Sequence, residues 1–159
     1  MKELILLRHA KSSWESQVAD IDRPLLPKGI ERITAMTKKS ISLFERVDQV
    51  FSSPANRALH TAVLMMRNAN LPLHLLKLEQ SLYTFDAEGV LSFIDGLKFE
   101  NKRIVLVGHN PAFTLAANYL GDLSVMHLPT AAWVHLTWTN PDDNLAKATI
   151  GNPNEILKS

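Results

Sequence analysis

The sequence contains no cysteine among its 159 residues. Disulfide bonds, catalysis by a thiolate and cysteine-ligated zinc are therefore all excluded. The chain also has almost no excess of charge of one sign, since 17 lysines and arginines stand against 16 aspartates and glutamates. A formal net charge of +1 argues against an extended nucleic-acid surface, so no nucleic-acid partner is expected, although a local basic pocket is compatible with it.

Long hydrophobic runs are also missing near the amino terminus, where only residues 4–7 are successively apolar before Arg8. A run of this length is too short for the core of a secretory signal or for a membrane span. The side chains of His74, His127 and His135 have no partner at a metal-ligand spacing such as His-Glu-x-x-His. We therefore expect a cytoplasmic protein with no membrane association, no metal and no cofactor.

Apolar, strand-like segments alternate with helical segments along the chain, and no repeat or clear linker interrupts them. The predicted strands are residues 3–8, 49–52, 73–78, 103–107, 131–139 and 146–150, of which the last is the weakest. The predicted helices are residues 28–45, 54–68, 87–97 and 111–120, two of which follow the cap-then-proline pairs Ser53-Pro54 and Asn110-Pro111. This alternation predicts a single α/β domain over residues 1–159, with a mostly parallel sheet flanked by helices on both faces.

Three strand-to-helix junctions carry cationic or imidazole side chains. Arg8-His9 closes the first predicted strand, and His109 follows the strand at 103–107. Arg57 lies in the first turn of the helix after the second predicted strand. In mostly parallel α/β sheets, ligand-binding groups gather just beyond the carboxyl ends of the strands. The sequence therefore predicts one pocket that contains two histidines and two arginines.

This set of side chains suits a transferring phosphoryl group, which needs a nucleophile in line with the leaving group and positive charge around its oxygens. A neutral histidine can attack phosphorus and carry the group, and nearby arginines keep it neutral. We therefore assign His9 as the nucleophile and Arg8 and Arg57 as ligands of the phosphoryl oxygens, because arginine matches phosphate geometry bidentately. His109 would donate a further hydrogen bond, and Ser13 is an additional candidate ligand, although loop serines often serve only their own turn.

The motifs around these residues resemble those of a known family. They are residues 6–14 with Arg8-His9, residues 22–25 followed by Lys28-Gly29, residues 52–54 followed by Arg57 and Thr61, residues 107–111 with His109, and residues 128–132. In this order they resemble the histidine phosphatase superfamily, with its phosphoglycerate-mutase-like fold, over roughly residues 4–138. Within it, the chain is most similar to the small SixA type of phosphohistidine phosphatases. The resemblance implies a covalent phosphohistidine at His9 and pocket roles for Arg8, Arg57 and His109.

Two positions depart from the pattern of that family. Many members have a glycine where this chain has Ala10, and an alanine fits there if its φ is negative. Many members also carry an acidic residue, used as a general acid, close to the position of Tyr83. The neighbouring carboxylates are Glu79 and Asp86, and the sequence does not choose between them. A missing acid would slow the hydrolysis of phosphate monoesters more than that of a phosphoramidate such as phosphohistidine.

These observations predict a metal-independent phosphatase that acts through His9, on phosphohistidine in a signalling or carrier protein. The alternatives are a phosphatase of small phosphate monoesters with the same fold and a non-catalytic phosphate-binding module. The partner is thus a phosphorylated protein or a small phosphorylated molecule, while the oligomeric state stays open. Asp22 and Arg23 are expected to form a structural ion pair that closes their loop.

Overall fold

A computed structural model of the chain describes residues 1–15 and 17–158. The strands of this part are β1 (Lys2–Arg8), β2 (Gln49–Ser52), β3 (Leu76–Leu78), β4 (Arg103–Gly108), β5 (Trp133–Trp138) and β6 (Lys147–Gly151). Its α-helices are α1 (Pro27–Lys39), α2 (Ile41–Phe44), α3 (Asn56–Asn68), α4 (Ala87–Asp95), α5 (Ala112–Leu120) and α6 (Pro153–Ile156). Short 3-10 turns cover Asp20–Asp22, Leu73–Leu75 and Gln80–Leu82. None of the described helices is long and apolar enough to cross a membrane.

The strands form one mixed sheet in the order β3-β2-β4-β1-β5-β6. The strands β1, β2, β3 and β4 pair in parallel, whereas β5 runs antiparallel to both of its neighbours. The predicted α/β class with a mostly parallel sheet is thus confirmed. The register aligns Arg8 with Gly108 and Ser52 with Val107, so the carboxyl ends of the three central strands lie side by side.

Helices cover both faces of the sheet, and the side-chain alternation of β1 shows why. Leu4 and Leu6 point into a core with α4 and α5, which contribute residues such as Ile94 and Phe113. The intervening positions of β1, residues 5 and 7, point into a second core with α1 and α3. A strand that is buried on both faces needs apolar residues at every position, which is the origin of the run at 4–7.

The prediction of one continuous helix over residues 28–45 is wrong. The structure ends α1 at Lys39 and starts a separate short helix at Ile41. The residue between them, Ser40, has φ −111° and ψ 27°, outside the helical range. Its hydroxyl accepts a hydrogen bond from the Trp133 indole N–H at 3.0 Å, which ties the break to β5.

The predicted helix starts are also early. The helix α3 begins at Asn56 with Ala55 at the cap position, and Ser53 stays outside the helix. The helix α5 begins at Ala112, and the Asn110 side chain, two residues before it, accepts a hydrogen bond from the first-turn N–H of Thr114 at 3.2 Å. Both polar residues that were expected to cap a helix at its first turn therefore lie in the preceding loop.

Two predicted strands are shorter than expected. The segment 73–78 begins with the 3-10 turn Leu73–Leu75, and only Leu76–Leu78 pairs with β2. The strand β5 begins at Trp133 rather than at residue 131, because Ala131 has φ 60° and lies in the left-handed region. The Ala131 N–H points at the carbonyls of Arg8 and His9, at 3.2 Å from each, so this backbone turn supports the end of β1.

The loop after β1 is held against the start of α1. The Lys11 carbonyl accepts a hydrogen bond from the Leu26 N–H at 2.9 Å, and Ser12 forms an isolated antiparallel bridge with Leu25. A Cβ added to Gly29 would lie only 2.2 Å from the Lys11 carbonyl oxygen. The glycine is therefore required by this close approach of helix and loop.

We predict that Gly29→Ala destabilises the protein by about 2 kcal/mol or more, because the new methyl group meets backbone that cannot move freely. Urea unfolding measured by circular dichroism tests this. The control is Gly96→Ala, since a Cβ at Gly96 meets its nearest atom at an ordinary 3.6 Å. Equal unfolding free energies for the two variants would contradict the assigned role of Gly29.

Candidate active site

His9 lies directly after β1, with its backbone N–H bonded to the Gly108 carbonyl at 3.1 Å. Its Nδ1 is 2.7 Å from the Ala10 carbonyl oxygen. A carbonyl can only accept, so Nδ1 carries the hydrogen and Nε2 keeps its lone pair. The Ala10 N–H in turn donates to the Thr61 hydroxyl at 2.9 Å, which anchors the loop to α3. Ala10 is not among the residues with positive φ, so alanine fits where many family members have glycine.

The environment of His9 keeps its imidazole neutral. The side chain is buried, with 7% of the residue exposed. Burial lowers the pKa of His9 to about 3, and the charges of Arg57 and Arg8, with that of His109 when it is protonated, add to this effect. The hydrogen bond to Ala10 acts in the opposite direction but is the smaller influence. At neutral pH the ring is therefore uncharged and has the free lone pair that a nucleophile needs.

His109 follows β4 and lies beside His9, with 5.2 Å between the two ring centroids. Only 1% of His109 is exposed, and burial followed by the charge of Arg57 lowers its pKa to about 4. Its Nε2 is 2.8 Å from the Ser53 hydroxyl oxygen. Because that oxygen already accepts from the Ala55 N–H, the Ser53 hydroxyl is free to donate to Nε2. In this arrangement Nδ1 carries the hydrogen of the neutral ring.

The two arginines are oriented by carbonyl groups. Arg57, only 2% exposed at the start of α3, donates to the Asp20 carbonyl at 2.7 Å and to the Asp20 carboxylate at 3.1 Å. Arg8 donates to the Leu128 carbonyl at 2.9 Å, and the same nitrogen lies 3.2 Å from His127 Nε2. The segment at 128–132, one of the family-like motifs, thus positions the Arg8 guanidinium.

Several buried nitrogen atoms of these side chains lack a hydrogen-bond partner. Among the described residues, the buried side-chain polar atoms without a partner are Arg8 Nε, Arg32 Nε, Arg57 Nε and His109 Nδ1. All four residues line the same cleft. Buried donors are almost always satisfied in proteins, so a group of them in one cleft indicates an absent acceptor. An oxyanion supplies several acceptor atoms at once.

The cleft has a volume of about 480 Å³. Its cationic lining side chains are Arg8, Lys11, Arg23, Lys28, Arg32 and Arg57, and Asp20 is the one carboxylate that lines it among the described residues. His9, His109, Ser12 and Asn110 also contribute to its wall. A chain with a net charge of only +1 therefore concentrates positive potential in one cleft, as the binding of a phosphorylated ligand requires.

Asp20 is a site residue that the sequence did not reveal. Its carboxylate accepts from the Tyr83 hydroxyl at 2.6 Å and from Arg57 at 3.1 Å. The Tyr83 hydrogen bond, followed by that of Arg57, lowers the pKa of Asp20 below its usual range despite partial burial. The carboxylate is therefore ionised at neutral pH. Its pairing with Tyr83 spans 63 residues, so no local pattern indicates it.

The predicted ion pair between Asp22 and Arg23 is wrong. Arg23 pairs with Asp20, at 3.1 Å, rather than with its immediate neighbour. Its guanidinium also stacks on the Trp14 ring, at 3.4 Å from the centroid, and donates from Nε to the Ser13 carbonyl at 3.0 Å. The spacing of three residues between Asp20 and Arg23 is the signal that was available in the sequence.

The remaining sequence candidates lie outside the cleft. The Ser13 hydroxyl accepts a hydrogen bond from the Glu15 N–H at 3.1 Å, and Ser13 does not line the cleft, whereas Ser12 does. The geometry therefore does not bring Ser13 to a phosphoryl group. Glu79 and Asp86 accept hydrogen bonds from backbone N–H groups of their own helical turns, at 3.3 and 3.0 Å. Neither of these carboxylates lines the cleft, so neither is placed to act as the general acid.

Comparisons with known proteins identify the family of this chain. A family model described as the histidine phosphatase superfamily (branch 1) matches residues 4–78. An uncharacterized protein of Mycobacterium tuberculosis is 30% identical over 118 residues, which cover 74% of this chain and 72% of that relative. The chain therefore belongs to the histidine phosphatase superfamily.

Solved structures of this superfamily share the fold. A protein of Agrobacterium tumefaciens that has been proposed to be the phosphohistidine phosphatase SixA is 25% identical, with a TM-score of 0.73 over 87% of this chain and 92% of that one. The protein histidine phosphatase SixA in complex with tungstate is 19% identical, with a TM-score of 0.81 over 97% and 99%. An Escherichia coli protein proposed to be an alpha-ribazole-5'-P phosphatase is 18% identical, with a TM-score of 0.71 over 96% and 97%. The phosphoglycerate-mutase-like fold is thus confirmed.

The low pKa values of His9 and His109 predict a loss of stability in mild acid. Both folded-state values, about 3 and about 4, lie below the ordinary 6.5. Below pH 6.5 the unfolded chain binds protons at these two histidines that the folded chain does not bind. The free energy of unfolding is therefore highest above that pH and decreases as the pH falls towards 4. We expect a loss of about 1 kcal/mol per histidine near pH 5.5.

Urea unfolding at pH 7.0, 6.0 and 5.5 measures this loss. His9→Asn and His109→Asn should each flatten the pH dependence, because asparagine does not titrate. If both variants keep the wild-type slope, the two rings are not the groups that resist protonation in the folded protein.

Proposed function

We propose that this chain, as a single domain over its 159 residues, is a metal-independent phosphatase that forms a covalent phosphohistidine at His9 and dephosphorylates phosphohistidine in a signalling or carrier protein. One observation carries the proposal: a buried, neutral imidazole with a free Nε2 stands among buried donors that lack an acceptor. Arg8, Arg57 and His109 supply these donors around the proposed phosphoryl position.

In the proposed reaction, His9 Nε2 attacks the phosphorus atom as the bond to the substrate nitrogen breaks. The guanidinium groups of Arg8 and Arg57 and the His109 ring donate to the phosphoryl oxygens, whose charge grows in the transition state. The substrate ring takes up a proton from water at its other nitrogen and therefore leaves as a neutral imidazole. Water then attacks the phosphorus on His9, which releases inorganic phosphate and a proton and restores the neutral ring.

The state of Asp20 favours a phosphohistidine substrate over a phosphate monoester. Departure of an alkoxide needs a proton from a general acid, whereas an imidazole nitrogen is protonated readily. The carboxylate that lines the cleft, Asp20, is ionised and accepts hydrogen bonds from Tyr83 and Arg57, so it is a poor acid in this state. The name of the related SixA protein, and the tungstate oxyanion bound in its structure, are in line with this proposal.

A phosphatase of small phosphate monoesters is the alternative, and the fold shared with the ribazole phosphatase of Escherichia coli supports it. A non-catalytic phosphate-binding module is a further alternative. Binding alone does not need an imidazole whose pKa is lowered to about 3 and whose tautomer is set by the Ala10 carbonyl. These two features of His9 favour an enzyme.

We predict that His9→Ala lowers phosphate release from a phosphohistidine peptide by at least about 10³-fold, because the nucleophile is removed. The variant should still bind inorganic phosphate, since the arginines remain. Phosphate release is measured in excess chelator, with binding measured by calorimetry. Ser13→Ala is the control and should keep the wild-type rate, because its hydroxyl lies in a turn outside the cleft.

Near wild-type turnover by His9→Ala would refute the assigned nucleophile. Activity that chelator abolishes would point to a metal instead. Arg57→Ala should lower both phosphate affinity and rate, because Arg57 is proposed to bind the phosphoryl group in the ground state and in the transition state.

The leaving group of the substrate should determine how fast the protein hydrolyses it. We predict that kcat/KM for a phosphohistidine peptide exceeds that for a phosphoserine peptide of the same sequence by at least about 100-fold, the usual contribution of a general acid. The reference substrate is p-nitrophenyl phosphate. This ester should be hydrolysed well, because its p-nitrophenolate leaves without needing a proton. Comparable values for the phosphoserine and phosphohistidine peptides would favour the monoesterase alternative.

A further inference from the structure

The cleft contains more cationic side chains than one phosphoryl group uses. Arg8 and Arg57 are assigned to that group, and Arg23 is paired with Asp20. The cations that remain, here called the basic arm, are Lys11, Lys28 and Arg32. They lie on the loop after β1 and on the first turns of α1, so they form one side of the cleft.

The basic arm has no anionic partner within the described residues. None of its nitrogen atoms lies within 4 Å of a carboxylate there. Among the residues that the structure describes, Arg32 donates only to the Asn154 amide oxygen, at 2.9 Å, and its buried Nε has no acceptor. Lys28 and Arg32 are four residues apart on one helix, a spacing at which like charges destabilise the helix. A bound anion would relieve this repulsion and satisfy the free donor.

The backbone holds the basic arm in place before any ligand arrives. The Lys11 carbonyl accepts from the Leu26 N–H, and Gly29 packs directly against the same carbonyl. These contacts fix the loop that carries Lys11 beside the helix that carries Lys28. Less conformational entropy is therefore lost when a ligand binds between them.

We propose that the basic arm binds a second anionic group of the substrate, a carboxylate or phosphate carried by the same molecule as the phosphoryl group on His9. This inference rests on the proposed function and narrows its substrate class. The second anion comes either from acidic side chains that flank the phosphorylated residue of a protein or from a second charged group of a small molecule. Both sources present the same oxyanion chemistry to Lys11, Lys28 and Arg32.

Binding to the His9→Ala variant of the whole 159-residue chain tests the proposal without turnover. One pair of probes consists of peptides with a stable phosphonate analogue of phosphohistidine, flanked by glutamates or by glutamines. The other pair is 3-phosphoglycerate and glycerol 3-phosphate, which differ by one carboxylate. The member with the additional carboxylates should bind about tenfold more tightly in at least one pair, since each exposed ion pair contributes about two- to fivefold.

The substitutions Lys11→Gln and Lys28→Gln, introduced together, should reduce that preference to about twofold or less. Both lysines are exposed, so their replacement leaves the core intact. Lys38→Gln is the matched control, because Lys38 is an exposed lysine at the far end of the same helix and does not line the cleft. It should leave the preference unchanged.

A preference in the peptide pair alone supports a protein source of the anion, and one in the phosphoglycerate pair alone supports a small molecule. Equal affinities within both pairs, or a preference that survives the double substitution, would overturn the inference. Phosphate release by the wild type decides the proposed function separately. If the protein prefers the probes with additional carboxylates but hydrolyses no phosphohistidine peptide, the proposed phosphohistidine phosphatase activity is refuted. The second anion site is still supported in that case.

Discussion

The parallel pairing of β1 with β4 is the interaction on which the site depends. Its register places Arg8 opposite Gly108, so His9 and His109 leave the sheet side by side. Pairing of β4 with β2 adds Ser53 at the same edge, and the Ser53 hydroxyl lies 2.8 Å from His109 Nε2. Because β1 and β4 are buried on both faces, a slip by one residue would move their apolar side chains between the two cores. The packing of the sheet thereby fixes the distance between the two imidazole rings.

Burial and positive charge act on the imidazole rings in the same direction. An imidazolium that is buried among guanidinium groups is unfavourable, and the rings lose their protons rather than the arginines. The proton that remains on His9 is held by the Ala10 carbonyl, so a single hydrogen bond decides which nitrogen keeps its lone pair. The Nε atoms of Arg8 and Arg57, by contrast, have no hydrogen-bond acceptor in the part of the chain that the structure describes. In the proposed reaction, a phosphoryl group would accept hydrogen bonds from the two arginines while its phosphorus faces the free lone pair of His9.

The parts of the site that follow local patterns could be predicted from the sequence. Arg8, His9 and His109 stand directly after buried strands, and the apolar runs before them are unambiguous. The role of Asp20 depends on Tyr83, 63 residues away, and no periodicity reports a contact of that kind. The helix break at Ser40 has the same origin, since it is bonded to Trp133 across the fold. Long-range hydrogen bonds therefore account for these two differences between expectation and structure.

The same fold serves phosphatases whose names specify different substrates, so the nucleophile alone does not determine what is hydrolysed. In the proposed reaction, the leaving group and the rest of the substrate lie against residues of the cleft other than His9. On one side is Asp20, whose carboxylate is engaged by Tyr83 and Arg57 and is unsuited to donate a proton. Another part of the wall is the basic arm, which is far more cationic than the chain as a whole. A substrate that needs little help with its leaving group and carries further negative charge fits both features, and an acidic protein segment around a phosphohistidine has these two properties together.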